Sequence, residues 1–152
     1  MAAYRARSLE CFSAVLLPTS SRGSWSGHAL QACTAGPAVG PLVALTRASI
    51  RPLRAASFWR HSPASEHDLA RAQGCRLAVG LGEAPWLRQA TISWWDSVDA
   101  MNAYARQGAH HAAIQAAWQE GYFSEWMFTR FIPTQVRGTW HGWPQEVPLA
   151  TV

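Results

Sequence analysis

The stretch Pro18-Thr19-Ser20-Ser21-Arg22-Gly23-Ser24-Trp25-Ser26-Gly27 returns later in the chain as Pro133-Thr134-Gln135-Val136-Arg137-Gly138-Thr139-Trp140-His141-Gly142, a shared pattern P-T-x-x-R-G-[S/T]-W-x-G. Self-similarity at a fixed offset is the mark of a duplicated structural unit. Seven of the ten positions agree, and in the same register Glu10 falls opposite Glu125. An apolar run leads into each copy, ending at Leu17 before Pro18 and at Ile132 before Pro133. Both copies therefore read as a strand closed by an Arg-Gly turn. Residues 41–143 are expected to form one complete unit and 1–27 the closing strand and turn of a preceding one, with a Gly-, Ala-, Ser- and Pro-rich linker at 28–40 and a tail at 144–152. On this reading the first strand has no partner inside the chain. A missing amino-terminal repeat or a homodimer would supply one.

Within the complete unit, Leu42 to Ile50 reads as a strand that stops before Pro52. Pro52 suits the first turn of a helix, which runs through Phe58-Trp59-Arg60 to an expected break at Pro63; a second short helix covers Glu66 to Gln73. Arg76 to Gly82 and Gln89 to Trp95 form two strands around Glu83-Ala84-Pro85-Trp86. Asp96 or Ser97 caps a long helix, nicked at Gly108 and continuing to Gln119, and Phe128 to Thr134 is the last strand. The order β-α-β-β-α-β predicts an α+β fold, the ferredoxin-like split motif of a dimeric-type α/β barrel.

Composition narrows the class. The chain has 152 residues, 49% of them hydrophobic, enough to bury a core. Its net charge of +4 comes from 13 arginines and no lysine, scattered singly from Arg5 to Arg137, so the clustered footprint of a nucleic-acid surface is missing. Cys11, Cys33 and Cys75 are odd in number and far apart, which fits a reduced cytoplasmic location. The apolar run behind Arg5 and Arg7 barely reaches the length of a leader and ends in Pro18 without a small-residue cleavage site, so a leader is not expected, and no stretch has the roughly 18 apolar residues of a span. Phosphate-binding loops, nucleophile elbows and H-E-x-x-H are absent.

Among the histidines, the adjacent pair His110-His111 stands out. Neighbours on a helix point about 100° apart, so at most one of them serves a metal. His110 shares a stripe with Ala113, Ile114 and Ala117, whereas His111 aligns with Gln115 and Trp118. Small residues around His110 would admit a flat cofactor; a core histidine bonded to a backbone carbonyl is the other reading. Nine tryptophans suit either an apolar ligand wall or an ordinary core.

Ala44 to Pro52, Phe58-Trp59-Arg60, Gly80 to Trp86, Gly108-Ala109-His110, Phe131, Gly138-Thr139-Trp140 and Ser21 to Gly27, taken in order, resemble the spheroidene monooxygenase family of carotenoid ketolases. The resemblance runs from about Tyr4 to Trp143 and lacks an amino-terminal repeat relative to that family. It implies a haem-dependent oxygenase that introduces a keto group into an acyclic carotenoid, using oxygen and a ferredoxin-type electron donor, with room for peripheral membrane contact. It further implies His110 as the axial ligand of the haem iron, His111 as its alternative, and Arg47, Arg51 and Arg130 as haem-propionate or oxygen-positioning groups. A cofactor-free or haem-degrading monooxygenase of the same barrel fold, or a non-catalytic truncated binding module, are the competing readings.

Overall fold

The structure is a computed structural model that describes residues 8–33, 40–84, 86–144 and 147–149. Its elements are β1 (Phe12–Gly23), β2 (Leu42–Ile50), a 3-10 turn (Pro52–Arg54), α1 (Ala55–Arg71), β3 (Cys75–Ala84), β4 (Arg88–Trp95), α2 (Val98–Ala105), α3 (Gly108–Gln119), β5 (Phe123–Trp140) and β6 (Trp143–Pro144). The antiparallel sheet has the order β1-β5-β2-β4-β3, with β6 folded back on the end of β5. From β2 onward this is the expected βαββαβ order. No described helix is long and apolar enough to cross a membrane.

One face of the sheet carries the helices. Strand alternation puts Leu42 and Ala44 of β2 on the same side as Trp95 of β4 and Phe128 of β5. These pack with Leu69 of α1 and with Val98, Met101 and Tyr104 of α2. The Trp95 ring lies 5.3 Å from that of Tyr104, and its indole N–H donates to the Ser93 hydroxyl at 2.8 Å. Trp118 of α3 meets Trp126 of β5 edge to face, which places α3 in the same layer.

Several element boundaries differ from the sequence reading. Helix α1 runs unbroken through Pro63. A mid-helix proline forfeits one backbone bond and costs about 3 kcal/mol, and the packing of α1 against α3 and β3 outweighs that. The helix after Ser97 is split in two, because Gly108 takes φ +65° between α2 and α3. Ser97 is the N-cap, accepting from the Ala100 N–H at 3.1 Å. Ser97→Ala is expected to lower stability by about 1 kcal/mol, measured as a shift in urea midpoint with an unchanged slope.

The largest difference concerns β1. It has a partner within the chain, pairing antiparallel with β5 from Phe12↔Gly138 to Gly23↔Met127. Strand β5 is 18 residues long because β2 lines its first half and β1 its second. Its polar positions Glu125 and Arg137 hid that length from a reading based on hydrophobicity.

The repeated motif is the hardware of this pairing. Thr19 and Thr134 are the bulged residues, and their hydroxyls donate to the Arg130 and Val15 carbonyls, both at 3.2 Å. Gly23 and Gly138 follow at φ +78° and +93°. A Cβ on Gly23 would stand 2.1 Å from the Trp126 carbonyl oxygen, and one on Gly138 1.8 Å from that of Cys11. The turns beyond are held by carboxylates: Glu125 accepts from the Ser26 and Gly27 N–H groups, and Glu10 from those of His141 and Gly142. Those backbone donors hold both carboxyls below their ordinary value.

Candidate functional site

No described helix lies over the other sheet face, and its side chains form rows across the strands. In register, Phe131, Val43, Trp94 and Leu77 make the first row across β5, β2, β4 and β3. Thr129, Leu45, Ile92 and Val79 make the second; Met127, Arg47, Ala90 and Leu81 the third. Glu125, Ser49 and Arg88 form the fourth. Four adjacent strands span about 14 Å. The face is thus apolar at one end and charged at the other, with Arg47 on the boundary.

Segments outside the sheet lie on this face. The indole N–H of Trp94 donates to the Pro148 carbonyl at 3.0 Å. At the charged end the Trp25 ring covers the Arg47 guanidinium at 3.9 Å, with that of Arg88 5.6 Å away. The repeat places Trp25 there, since the turn that carries it is tied to Glu125 of the fourth row.

Arg47 is largely covered and pairs with Glu83 at the end of β3. Burial first, then the neighbouring Arg88 cation, pull its pKa below the ordinary arginine value, while Glu125 acts in the opposite sense. Two side-chain atoms of this strand face are buried with no hydrogen-bond partner among the described residues: Arg47 Nε and Ser49 Oγ. They sit two residues apart on one face of β2, a donor and a donor-acceptor facing the same side. Buried polar groups are ordinarily bonded, so such a pair marks a place for a polar atom from outside the chain.

The remaining site candidates lie elsewhere. Arg130 is on the helix side, donating to the Asn102 side-chain carbonyl of α2 at 3.0 Å, and burial lowers its pKa. Arg51 sits past the end of β2, exposed, with Nε donating to the Phe123 carbonyl at 3.1 Å. His110 and His111 are on α3, in the helix layer; His111 is half-buried, and the His110 side chain lies outside the described residues. The sheet separates α3 and Arg130 from Arg47, and Arg51 is tied to the backbone at the sheet's end. Arg47 and Arg130 therefore do not line one flat cofactor together. Of the two candidates within the sheet strands, Arg47 faces away from the helices and Arg130 toward them.

Sequence reading missed Trp25, Glu83, Arg88 and Ser49 as neighbours of Arg47. A signal was present for one of them: alternation along Leu45, Arg47 and Ser49 puts Ser49 on the same face as Arg47. The others come from segments whose approach depends on strand register.

Comparison with known proteins bears on this geometry. No family model matches the chain. The spheroidene monooxygenase of Rubrivivax gelatinosus is 54% identical over 139 residues, covering 91% of this chain and 54% of that protein. The chain is a homologue of the spheroidene monooxygenases. Those of Rhodobacter capsulatus and Cereibacter sphaeroides are 38% and 34% identical, with 62% and 43% of their lengths covered. The chain thus spans about half the length of the curated spheroidene monooxygenases it matches. Among solved structures, a Nitrosomonas europaea protein described as an antibiotic biosynthesis monooxygenase matches with TM-score 0.51 and 12% identity, over 72% of this chain and 95% of that one. A Lactobacillus acidophilus protein described as a monooxygenase gives 0.54 and 9%, over 64% and 46%. At such identities these likenesses show the fold, a ferredoxin-like unit of the dimeric α+β barrel kind.

Proposed function

We propose that this chain provides the substrate-facing sheet of a monooxygenase that converts an acyclic carotenoid to its ketone. The observation that carries the reading is the graded face that no described helix covers: two rows dominated by apolar side chains ending at Arg47, whose buried Nε–H has no partner among the described residues. The names of the homologous proteins supply the substrate class. Aromatic and branched side chains suit a long polyene, because they bury large area at low entropic cost. Arg47 Nε–H and Ser49 Oγ–H then hold the oxygen function at the substrate's end, and the Glu83 carboxylate and the Trp25 ring fix the guanidinium so that little freedom is lost on binding.

In each oxidation one atom of dioxygen enters the substrate carbon and the other leaves as water. Two electrons come from a ferredoxin-type donor and two protons from solvent. A second round on the same carbon yields the hydrated ketone, which loses water.

Binding tests the assignment of Arg47. Tryptophan fluorescence quenching by a methoxy-ended acyclic carotenoid is expected to weaken about 10-fold in Arg47→Met, matching a lost hydrogen bond to a charged donor. Binding of the corresponding hydrocarbon carotenoid is expected to stay within about twofold, because the apolar rows are unchanged. Equal affinity of wild type and variant for the methoxy-ended compound would remove Arg47 from the site. Incubation with that carotenoid, reduced ferredoxin and labelled dioxygen tests the reaction, the expected product carrying labelled oxygen in a new ketone.

A further inference from the structure

The β1–β5 ladder is symmetric residue by residue. Adding 115 to each β1 position gives its counterpart on β5: Glu10 and Glu125, Thr19 and Thr134, Gly23 and Gly138, Ser26 and His141, Gly27 and Gly142. The strand pairing is preserved under this exchange, and so are the backbone and turn contacts that flank it. Ser24 N–H donates to the Trp126 carbonyl at 2.9 Å, and Thr139 N–H to that of Cys11 at 3.1 Å. The two bulges sit at the equivalent threonines, and each carboxylate closes the turn of the opposite strand. Leu17 pairs with Ile132, its own counterpart, so a two-fold axis passes through that pair.

Consequently β5 and the turn that follows it contain both sides of the interface. They have the carboxylate (Glu125) and the turn that a carboxylate closes (His141, Gly142). They also have the bulged threonine (Thr134) and the carbonyl that such a hydroxyl reaches (Arg130), the glycine (Gly138) and the carbonyl that presses on it (Trp126). A strand with both halves of these contacts is complementary to itself about a two-fold, the condition for an isologous interface. We infer that β1 occupies the place of a second unit's β5, and that a second copy of this chain docks there, β5 to β5, once β1 is displaced. Ile132 then faces the partner's Ile132, and the Gly138 site lies against the partner's Trp126 carbonyl. While β1 is tethered next to β5, its high effective concentration keeps the site closed in cis.

Two substitutions separate this from a merely structural strand. Gly23→Val collides with the Trp126 carbonyl and unseats β1, yet leaves every β5 contact available. Gly138→Val blocks the cis and the trans ladder alike. Sedimentation equilibrium is expected to give twice the chain mass for Gly23→Val and no dimer for Gly138→Val. A monomeric or merely aggregated Gly23→Val, or a dimer formed equally by both variants, would overturn the inference.

A cysteine on the axis gives a readout that does not depend on either variant folding. With Cys11, Cys33 and Cys75 changed to serine, Ile132→Cys is refolded from urea under mild oxidant at increasing protein concentration. Directly opposed residues of an antiparallel pair are within disulfide reach. A linked dimer that grows with concentration is expected for Ile132→Cys and not for the off-axis Arg137→Cys, whereas equal linking of the two refutes the two-fold.

Discussion

Trp95→Ala is expected to lower the unfolding free energy by about 3–5 kcal/mol, the range for truncating a buried large aromatic. Trp95 is 1% exposed at the end of β4, opposite Leu42, and its ring joins the sheet to α2 through Tyr104. Truncation removes this contact and leaves the Ser93 hydroxyl, itself buried, without its indole donor. Helix α2 is only eight residues long and draws its stability from that packing. Trp95→Phe keeps most of the buried area and loses the indole N–H, so it should fall well short of the alanine effect. Urea denaturation followed by far-ultraviolet circular dichroism measures both, and a Trp95→Ala midpoint close to that of wild type would show that the ring is not the keystone of the helix-side core.

Gly138→Ala is expected to be nearly as damaging, although it adds one carbon and removes nothing. Strain at φ +93° costs about 1–3 kcal/mol for a residue with a side chain. The new methyl group also meets a backbone carbonyl at 1.8 Å, an overlap that only separating β1 from β5 relieves, for about 1–3 kcal/mol more. Gly142→Ala is the control: its φ is +80° but nothing lies within 4 Å of the added carbon, so it carries the strain without the collision. Stability should therefore fall in the order wild type, Gly142→Ala, Gly138→Ala. Equal losses for the two alanine variants would show that the carbonyl of Cys11 does not press on this glycine.

Both results trace back to how much of the fold was legible in one dimension. Leu42 to Ile50 is a strand in sequence and structure alike, because β-branched and apolar residues run between a glycine-proline linker and Pro52. Ser97 declares a helix start because a capping hydroxyl acts within three residues. The repeat declared itself because the bulge, the glycine and the turn each need a particular residue at a particular offset. Pro63 misled, since its local penalty is plain in the sequence while the packing that outweighs it comes from α3 and β3, distant along the chain.

By itself the sequence determined the βαββαβ order, the two copies of P-T-x-x-R-G-[S/T]-W-x-G and the correspondence of Glu10 with Glu125, all set by chemistry that acts over a few residues or repeats at a fixed offset. Only the tertiary structure decided that β1 lies against β5, that Arg47 and Arg130 stand on opposite faces of the sheet, and that Trp25 and Glu83 enclose Arg47. The reason is register. A shift of one residue in a strand moves every side chain to the other face, and that register is set by pairing between segments as much as 126 positions apart, as in Phe12↔Gly138.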